Sequence, residues 1–257
     1  MWPSRSRSAA FTLIEVMVVI VILTLLLSGL ALPIAAQLQV RRAEQTRRTL
    51  DMAREALLGF AASHGRLPCP ATETSAGEEA FAPGGDASNG ACATFYAGWL
   101  PAATLGISPV DAEGYLRDAW DTPGNRVRYA VFGNAAVNAV DNPFTRASGM
   151  RMATLPALGS APHFVFICST GASATASGCG PAANQLTRRA AFVLLSPGAN
   201  AGSVPSAGGD EARNLAGAPV FVHHEMSIAP GREFDDIVQW VPVSLVVSRL
   251  MAAGQLP

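Results

Sequence analysis

The feature that most constrains this chain is an apolar run from Phe11 to Leu32 with one acid inside it, Glu15. At 1.5 Å per residue the run forms about 33 Å of helix, which is enough to cross the hydrocarbon core of a bilayer. A carboxylate in such a segment costs roughly 2.5–3.5 kcal/mol on insertion scales. The run therefore predicts a membrane-spanning helix, and Glu15 needs a functional reason to be kept there.

The same helix is predicted to continue beyond the apolar run. Small and apolar residues recur at steps of three and four from Ala43 to Phe60, and charged residues fill the positions between them. This spacing places the apolar residues on one helical face. We therefore predict one helix from Phe11 to about Ser63, bent at Pro33 and ended by Gly65.

Short apolar runs separated by turn residues follow the helix, and they predict an α+β domain with long surface loops at 72–90 and 198–217. The predicted strands are Arg126–Phe132, His163–Cys168, Ala190–Leu195 and Pro219–His223, and the predicted C-terminal helix is Val243–Ala253.

The four cysteines form two locally spaced pairs, Cys69 with Cys92 and Cys168 with Cys179. Neither pair has the C-x-x-C spacing of zinc sites, so two disulfides are favoured, although four cysteines permit three connectivities. Disulfides after a membrane segment indicate an oxidising compartment, which in a bacterium is the periplasm. The alternative is four free thiols in a cytosolic protein.

Charge and motifs exclude several classes of function. A net charge of -1 and a pI near 6.4 argue against nucleic acid as a principal partner. Ser196 lacks the G-x-S-x-G elbow, and the adjacent His223 and His224 would point to opposite faces of a strand. The glycines from Gly171 to Gly180 have no phosphate-loop lysine after them. We therefore expect no enzymatic activity.

The N-terminal residues resemble a known family. The order is Ala10-Phe11-Thr12-Leu13-Ile14-Glu15-Val16-Met17-Val18. It resembles the class III signal of bacterial type IV pilins and type II secretion pseudopilins, in which a prepilin peptidase cuts before the phenylalanine and methylates the new amine. The family normally has glycine where this chain has Ala10. The resemblance implies that Ala10 and Phe11 form the processing site. It also implies that Glu15 pairs with the freed amine of a neighbouring subunit during assembly.

Two parts of the predicted domain also resemble pseudopilins. The segment 115–129 is similar to their D-P-W-G-N-x-Y-x-Y pattern, and Trp120 is expected to be a packing anchor. Segments 195–202 and 234–240 resemble those that flank the calcium loop of the major type II secretion pseudopilin. The resemblance implies a possible calcium cofactor, whose candidate ligands are Asn200, Asp210, Asp235 and Asp236. The alternative is a tight turn in which one of these acids caps a helix or pairs with an arginine.

The orientation in the membrane has evidence on both sides. Two arginines precede the apolar run, whereas four follow it at positions 41, 42, 47 and 48, so charge alone favours a cytoplasmic C-terminal domain. The cysteines and the resemblance favour a periplasmic one. A signal peptide cleaved near Ala36 is a further alternative.

We therefore interpret the chain as a leader (1–10), a transmembrane half-helix (11–33), an amphipathic half-helix (34–64) and a periplasmic α+β head (65–257). In this head the helix is expected to pack on an antiparallel sheet. The expected function is structural: a minor pilin or pseudopilin of the inner membrane, whose partners are the membrane, other such subunits and prepilin peptidase. The alternative is a signal-anchored periplasmic binding module or enzyme.

Overall fold

The computed structural model describes residues 12–120, 125–201, 209–227 and 233–257, with the side chains of 26–36 left out of the description. The chain divides into two compact units, Met1–Arg42 and Ala43–Pro257. The predicted leader and the processing residues Ala10 and Phe11 lie outside the described residues.

The longest element is helix α1, Leu13–His64. Its C-terminus is the predicted one, because Gly65 adopts φ +66° and its N–H donates to the Ala61 carbonyl at 2.8 Å. Glycine takes this left-handed conformation without a steric penalty. The single long helix is confirmed and continues through Pro33, where the bend stays a prediction.

In the first unit, the large apolar side chains of α1 from Leu13 to Leu25 are exposed. Among the described residues, no helix is both long and apolar enough to cross a bilayer.

The unit Ala43–Pro257 contains the remaining elements. Its strands are β1 Gly98–Trp99, β2 Arg128–Val131, β3 Ala136–Val137, β4 Val140–Asp141, β5 Val165–Cys168, β6 Gln185–Ser196, β7 Val220–Val222 and β8 Ile237–Pro242. Its helices are α2 Ala102–Leu105, α3 Gly149–Ala153, α4 Leu155–Ser160, α5 Asp210–Asn214 and α6 Val243–Ala252, and a 3-10 turn covers Ala182–Asn184. The α+β class is confirmed.

Strand β6 organises the main sheet. Within the described residues the strand order is β1-β2-β6-β5-β7, and β8 also pairs with β6, while β3 and β4 form a separate two-stranded sheet. The pairs of the main sheet are antiparallel except β5 with β7, in which Phe166 lies opposite Val220. The prediction of an antiparallel sheet is therefore wrong at this pair. A parallel pair needs a long crossover, and here β6 and α5 lie within it.

The four predicted strands and the C-terminal helix correspond to β2, β5, β6, β7 and α6. Strand β8 was not predicted, because its residues were interpreted only as part of a calcium loop. Helix α5 was also missed: it lies inside the predicted surface loop 198–217, where Glu211 and Asn214 are buried.

The amphipathic half of α1 supplies one wall of the core of this unit. The face predicted from spacing is buried at Ala43, Thr46, Leu50, Ala53 and Leu57. These residues, apart from the polar Thr46, share one apolar cluster with the centre of β6. Burial of each large aliphatic side chain contributes about 1.5–3 kcal/mol. The helix is thus held to the head by its predicted face.

Both locally spaced cysteine pairs form disulfides, Cys69 with Cys92 and Cys168 with Cys179. The first closes a loop of sequence separation 23 and the second one of separation 11. Of the three connectivities that the sequence permits, the structure has the local one. Closing such loops lowers the entropy of the unfolded chain and contributes about 3 kcal/mol each.

Candidate functional site

The N-terminal end of α1 holds the acid in the apolar run. Glu15 lies in the first turn of the helix and is exposed. Its backbone N–H donates to Oγ1 of Thr12 at 3.3 Å. Within the described part of the chain, the ion pairs involve other residues, so this carboxylate has no cationic partner there.

Three carboxylates from two parts of the head converge at a second site, which we call the acidic cluster: Glu211, Asp235 and Asp236. Oxygens of the three groups lie within 4.8 Å of one another. Helix α5 places Glu211, and the two aspartates come just before β8. Pairing of β8 with the end of β6, where Ile237 lies opposite Ser196, brings the aspartates beside the turn that follows β6.

Backbone amides of this turn hold one aspartate of the cluster. Oδ2 of Asp235 accepts hydrogen bonds from the N–H groups of Ala199 at 2.8 Å and Asn200 at 3.2 Å. Its Oδ1 is buried and has no hydrogen-bond partner among the residues that the structure describes. Gly198 adopts φ +71°, and a Cβ there would come within 2.3 Å of Oδ1. Only glycine therefore permits this close approach of the turn to the carboxylate.

Amide side chains hold the other two carboxylates. Nδ2 of Asn200 lies 3.0 and 2.9 Å from the two carboxylate oxygens of Glu211, and Oε1 of Glu211 also accepts from the N–H of Asp235 at 2.9 Å. Oδ2 of Asp236 accepts from Nδ2 of Asn214 at 2.7 Å. Burial of these groups must be offset by hydrogen bonds or by a counter-charge, and the donors named here are neutral amides that supply no counter-charge.

Electrostatics show the same deficit of positive charge. Burial raises the pKa of Asp236 to about 8, and the nearby Glu211 and Asp235 carboxylates also raise it. Burial, followed by repulsion from Glu211, raises the pKa of Asp235 to about 6. The guanidinium of Arg128 acts in the opposite direction on Asp236 but does not restore its usual pKa.

The chemistry of the cluster fits a hard divalent cation. Calcium takes six to eight oxygen ligands, and the three carboxylates supply several of them, including one buried oxygen with no partner in the described part of the chain. Rotation of the Asn200 amide by half a turn would present its oxygen instead of its nitrogen. Glu211, Asp235, Asp236 and Asn200 could therefore hold calcium.

The structure brings together three of the four predicted calcium ligands. Asp210 lies elsewhere: its Oδ2 is 2.9 Å from Nε2 of His224, and its Oδ1 accepts from the N–H of Gly171. Glu211, the next residue, was missed by the sequence reasoning. No local sequence pattern singles out Glu211, because it joins the cluster through helix α5, where it and Asp210 point in different directions.

The segment around Trp120 forms hydrogen bonds with the turn that follows β6. Asp118 accepts hydrogen bonds from the N–H of Trp120 at 2.9 Å and from Oγ of Ser196 at 2.5 Å. Nδ2 of Asn125 donates to the carbonyl of Gly198 at 2.6 Å. Trp120 itself is buried in the core, as expected of a packing anchor. The separate sequence segments that resemble pseudopilins thus meet in one hydrogen-bonded network.

Comparison with known proteins bears on the N-terminus alone. Residues 5–31 match a family model described as the prokaryotic N-terminal methylation motif. Neither the curated proteins nor the solved structures contain a match to the chain. Thr12, Glu15 and the start of α1 fall within the matched residues. The chain thus carries the prokaryotic N-terminal methylation motif, the signature of type IV pilins and pseudopilins.

Proposed function

We propose that this protein is a structural subunit, a minor pilin or pseudopilin, of a type IV pilus or a type II secretion pseudopilus. The observation that carries the proposal is the methylation motif at residues 5–31, followed by a helix that continues into the core of an α+β head. A head of residues 65–257 is large for a repeating subunit, which favours a minor or tip position. The motif resides in the inner membrane and the disulfide-bonded head in the periplasm.

The proposed route to the filament begins with leader removal. Water adds to the carbonyl carbon of Ala10, the bond between Ala10 and Phe11 breaks, and the nitrogen of Phe11 takes a proton and leaves as an amine. An electrophilic methyl donor then transfers its methyl group to this nitrogen, which releases a proton. The carboxylate of Glu15 on a neighbouring subunit pairs with this amine in a low-dielectric helix bundle, where either charge alone is costly. The exposed apolar face of α1 from Leu13 to Leu25 supplies the packing surface.

Mass spectrometry of the chain purified from its own host tests the proposal. We expect a mature N-terminus at Phe11 that carries one methyl group. An intact leader, or cleavage near Ala36, would favour the alternative of a signal-anchored periplasmic module. Protease accessibility of the head in spheroplasts of the same host, where the inner membrane is intact, tests the orientation.

Replacing Glu15 with alanine should separate insertion from assembly. We expect Glu15→Ala to be inserted and processed, because the apolar run becomes more apolar, but to enter filaments at least about tenfold less, because the neighbour's amine loses its partner. The measurement is the ratio of sheared filament to membrane-bound subunit. Glu44→Ala is the control, since Glu44 is exposed on the same helix beyond the apolar run. Normal incorporation of Glu15→Ala would contradict the pairing.

A second proposal concerns the acidic cluster, which we propose binds calcium as a structural cofactor of the head. The specific observation in its favour is the buried Oδ1 of Asp235, which has no hydrogen bond to any described residue and belongs to a group of three carboxylates. Calcium would join α5 to the start of β8 and so fix the long connection after β6. The test is whether calcium stabilises the folded chain and whether that effect depends on pH.

A further inference from the structure

Arg128 is a partly buried cation that forms no ion pair with any residue that the structure describes. It lies on β2, opposite Trp99 of β1 and Leu195 of β6. Its guanidinium carbon is 5.6 Å from the centroid of the Trp99 ring, a cation–π contact that holds the group without neutralising its charge. Burial lowers the pKa of Arg128, whereas the carboxylates of Asp236 and Glu73 raise it, and a guanidinium stays charged in proteins.

The charge of Arg128 acts on the acidic cluster from the adjoining face of the sheet. Arg128 and Asn214 line the same narrow cleft between the sheet and α5. Nδ2 of Asn214 in turn donates to Oδ2 of the buried Asp236 at 2.7 Å. Arg128 and Asp236 therefore share Asn214 as a neighbour, and the guanidinium opposes the rise in the pKa of Asp236 that burial causes.

The balance of charge at the cluster bears on the valence of the cation that fits it. When ionised, Glu211, Asp235 and Asp236 carry three negative charges, and their hydrogen-bond donors are neutral amides. The fixed charge of Arg128 leaves two net negative charges. A divalent cation neutralises such a site, whereas a trivalent cation leaves an excess of positive charge where water screens it poorly.

We propose that Arg128 is a specificity-determining residue of the acidic cluster: its positive charge lowers the affinity for trivalent cations more than for divalent ones, and so matches the site to calcium by charge. This inference rests on the proposed calcium site and concerns its selectivity. Repulsion between Arg128 and a bound cation is proportional to the charge of that cation, so it is about one and a half times as large for a trivalent ion. Arg128 does not coordinate the cation, because a guanidinium has donors only.

Titration calorimetry of the full-length chain in nonionic detergent at pH 7, with calcium and with terbium, tests the proposal. Terbium is trivalent, close to calcium in radius and likewise bound by oxygen ligands. Arg128→Met removes the charge and keeps an apolar stem, and Arg128→Gln is a second neutral variant that keeps a polar end. We expect either variant to bind calcium about tenfold and terbium about thirtyfold more tightly than the wild type does, so that the preference for terbium rises about threefold.

Two control variants separate charge from packing. Arg128→Lys keeps the charge at this position and should keep the wild-type preference between the two ions. Arg188→Met removes an exposed positive charge from β6, the strand that pairs with β2. Position 188 is seven residues before Leu195 on that strand, which is about 23 Å away, so this variant should also keep the wild-type preference.

The possible results distinguish the inference from the calcium site on which it rests. Equal changes in the affinities for calcium and terbium in the neutral variants would mean that Arg128 acts through packing. That result, or unchanged affinities, overturns the inference and leaves the calcium site standing. Absence of calcium binding to the wild type, or binding that is unchanged in Glu211→Gln, would refute the proposed calcium site itself.

Discussion

Replacing Glu79 with glutamine is expected to lower the free energy of unfolding by about 3–5 kcal/mol. The two carboxylate oxygens of Glu79 bind Nη1 and Nη2 of Arg66 at 2.7 and 2.6 Å, and Oε2 also accepts from the N–H of Cys69 at 3.1 Å. The guanidinium carbon lies 5.2 Å from the ring centroid of Phe60 and 5.7 Å from that of Phe81, and the side chain is shielded from water. Glutamine would leave this buried cation without its counter-charge and would place an amide N–H₂ against it.

Denaturant unfolding of the full-length chain in nonionic detergent, followed by tryptophan fluorescence, measures this effect. Glu55→Gln is the matched control, because Glu55 pairs with Arg249 at 3.2 Å where both side chains are about half exposed. Such a surface pair contributes about 0–1 kcal/mol. Equal losses in the two variants would show that burial of the Arg66 pair has no energetic consequence.

The metal-free chain is expected to lose a few kcal/mol of stability as the pH rises from 5 to 8. Burial raises the pKa of Asp236 to about 8, and burial with repulsion from Glu211 raises that of Asp235 to about 6. An unfolded aspartate has a pKa of about 3.9. Between these values the folded state binds more protons than the unfolded state, so stability is greatest at the acidic end of the window and falls as the pH rises.

Calcium and one substitution test the origin of this fall. Calcium binds the deprotonated carboxylates, so it should stabilise the chain strongly at pH 8, only weakly at pH 5, and release protons on binding. Asp236→Asn resembles the protonated side chain and still accepts from Asn214. It should therefore flatten the pH profile of the metal-free chain and weaken the response to calcium. Two results would contradict this assignment. The stability of Asp236→Asn could fall with pH as steeply as that of the wild type, or calcium could fail to stabilise the wild type at pH 8.

Local periodicity in the sequence was sufficient to predict the buried face of α1 and the positions of four strands. The spacing predicted the face of α1 that is buried from Ala43 to Leu57, although Phe60 at the end of the pattern is only half-buried, and Gly65 predicted the end of the helix. Short apolar runs predicted β2, β5, β6 and β7 but not their directions, because strand composition does not record whether a neighbour is parallel. The parallel direction of β5 and β7 depends on the length of the connection between them, which is a long crossover.

The acidic cluster could be predicted only in part for a related reason. Asp235 and Asp236 are adjacent in a motif, so a resemblance was enough to single them out. Glu211 lies in a Gly- and Ala-rich loop with no apolar period, and it joins the cluster because α5 is held by Asn214, whose side chain bonds both backbone groups of Val222. Such a tertiary anchor has no local sequence signal.

The buried face of α1 also has a mechanical consequence. If assembly extracts the subunit from the membrane, the pulling force enters the head along this helix. From Ala43 to Ala61 the helix lies against the core, and Oγ1 of Thr46 binds the N–H of Ala119 in the turn beside Trp120. The load is therefore spread in shear over several helical turns, so that the helix cannot peel from the head one contact at a time.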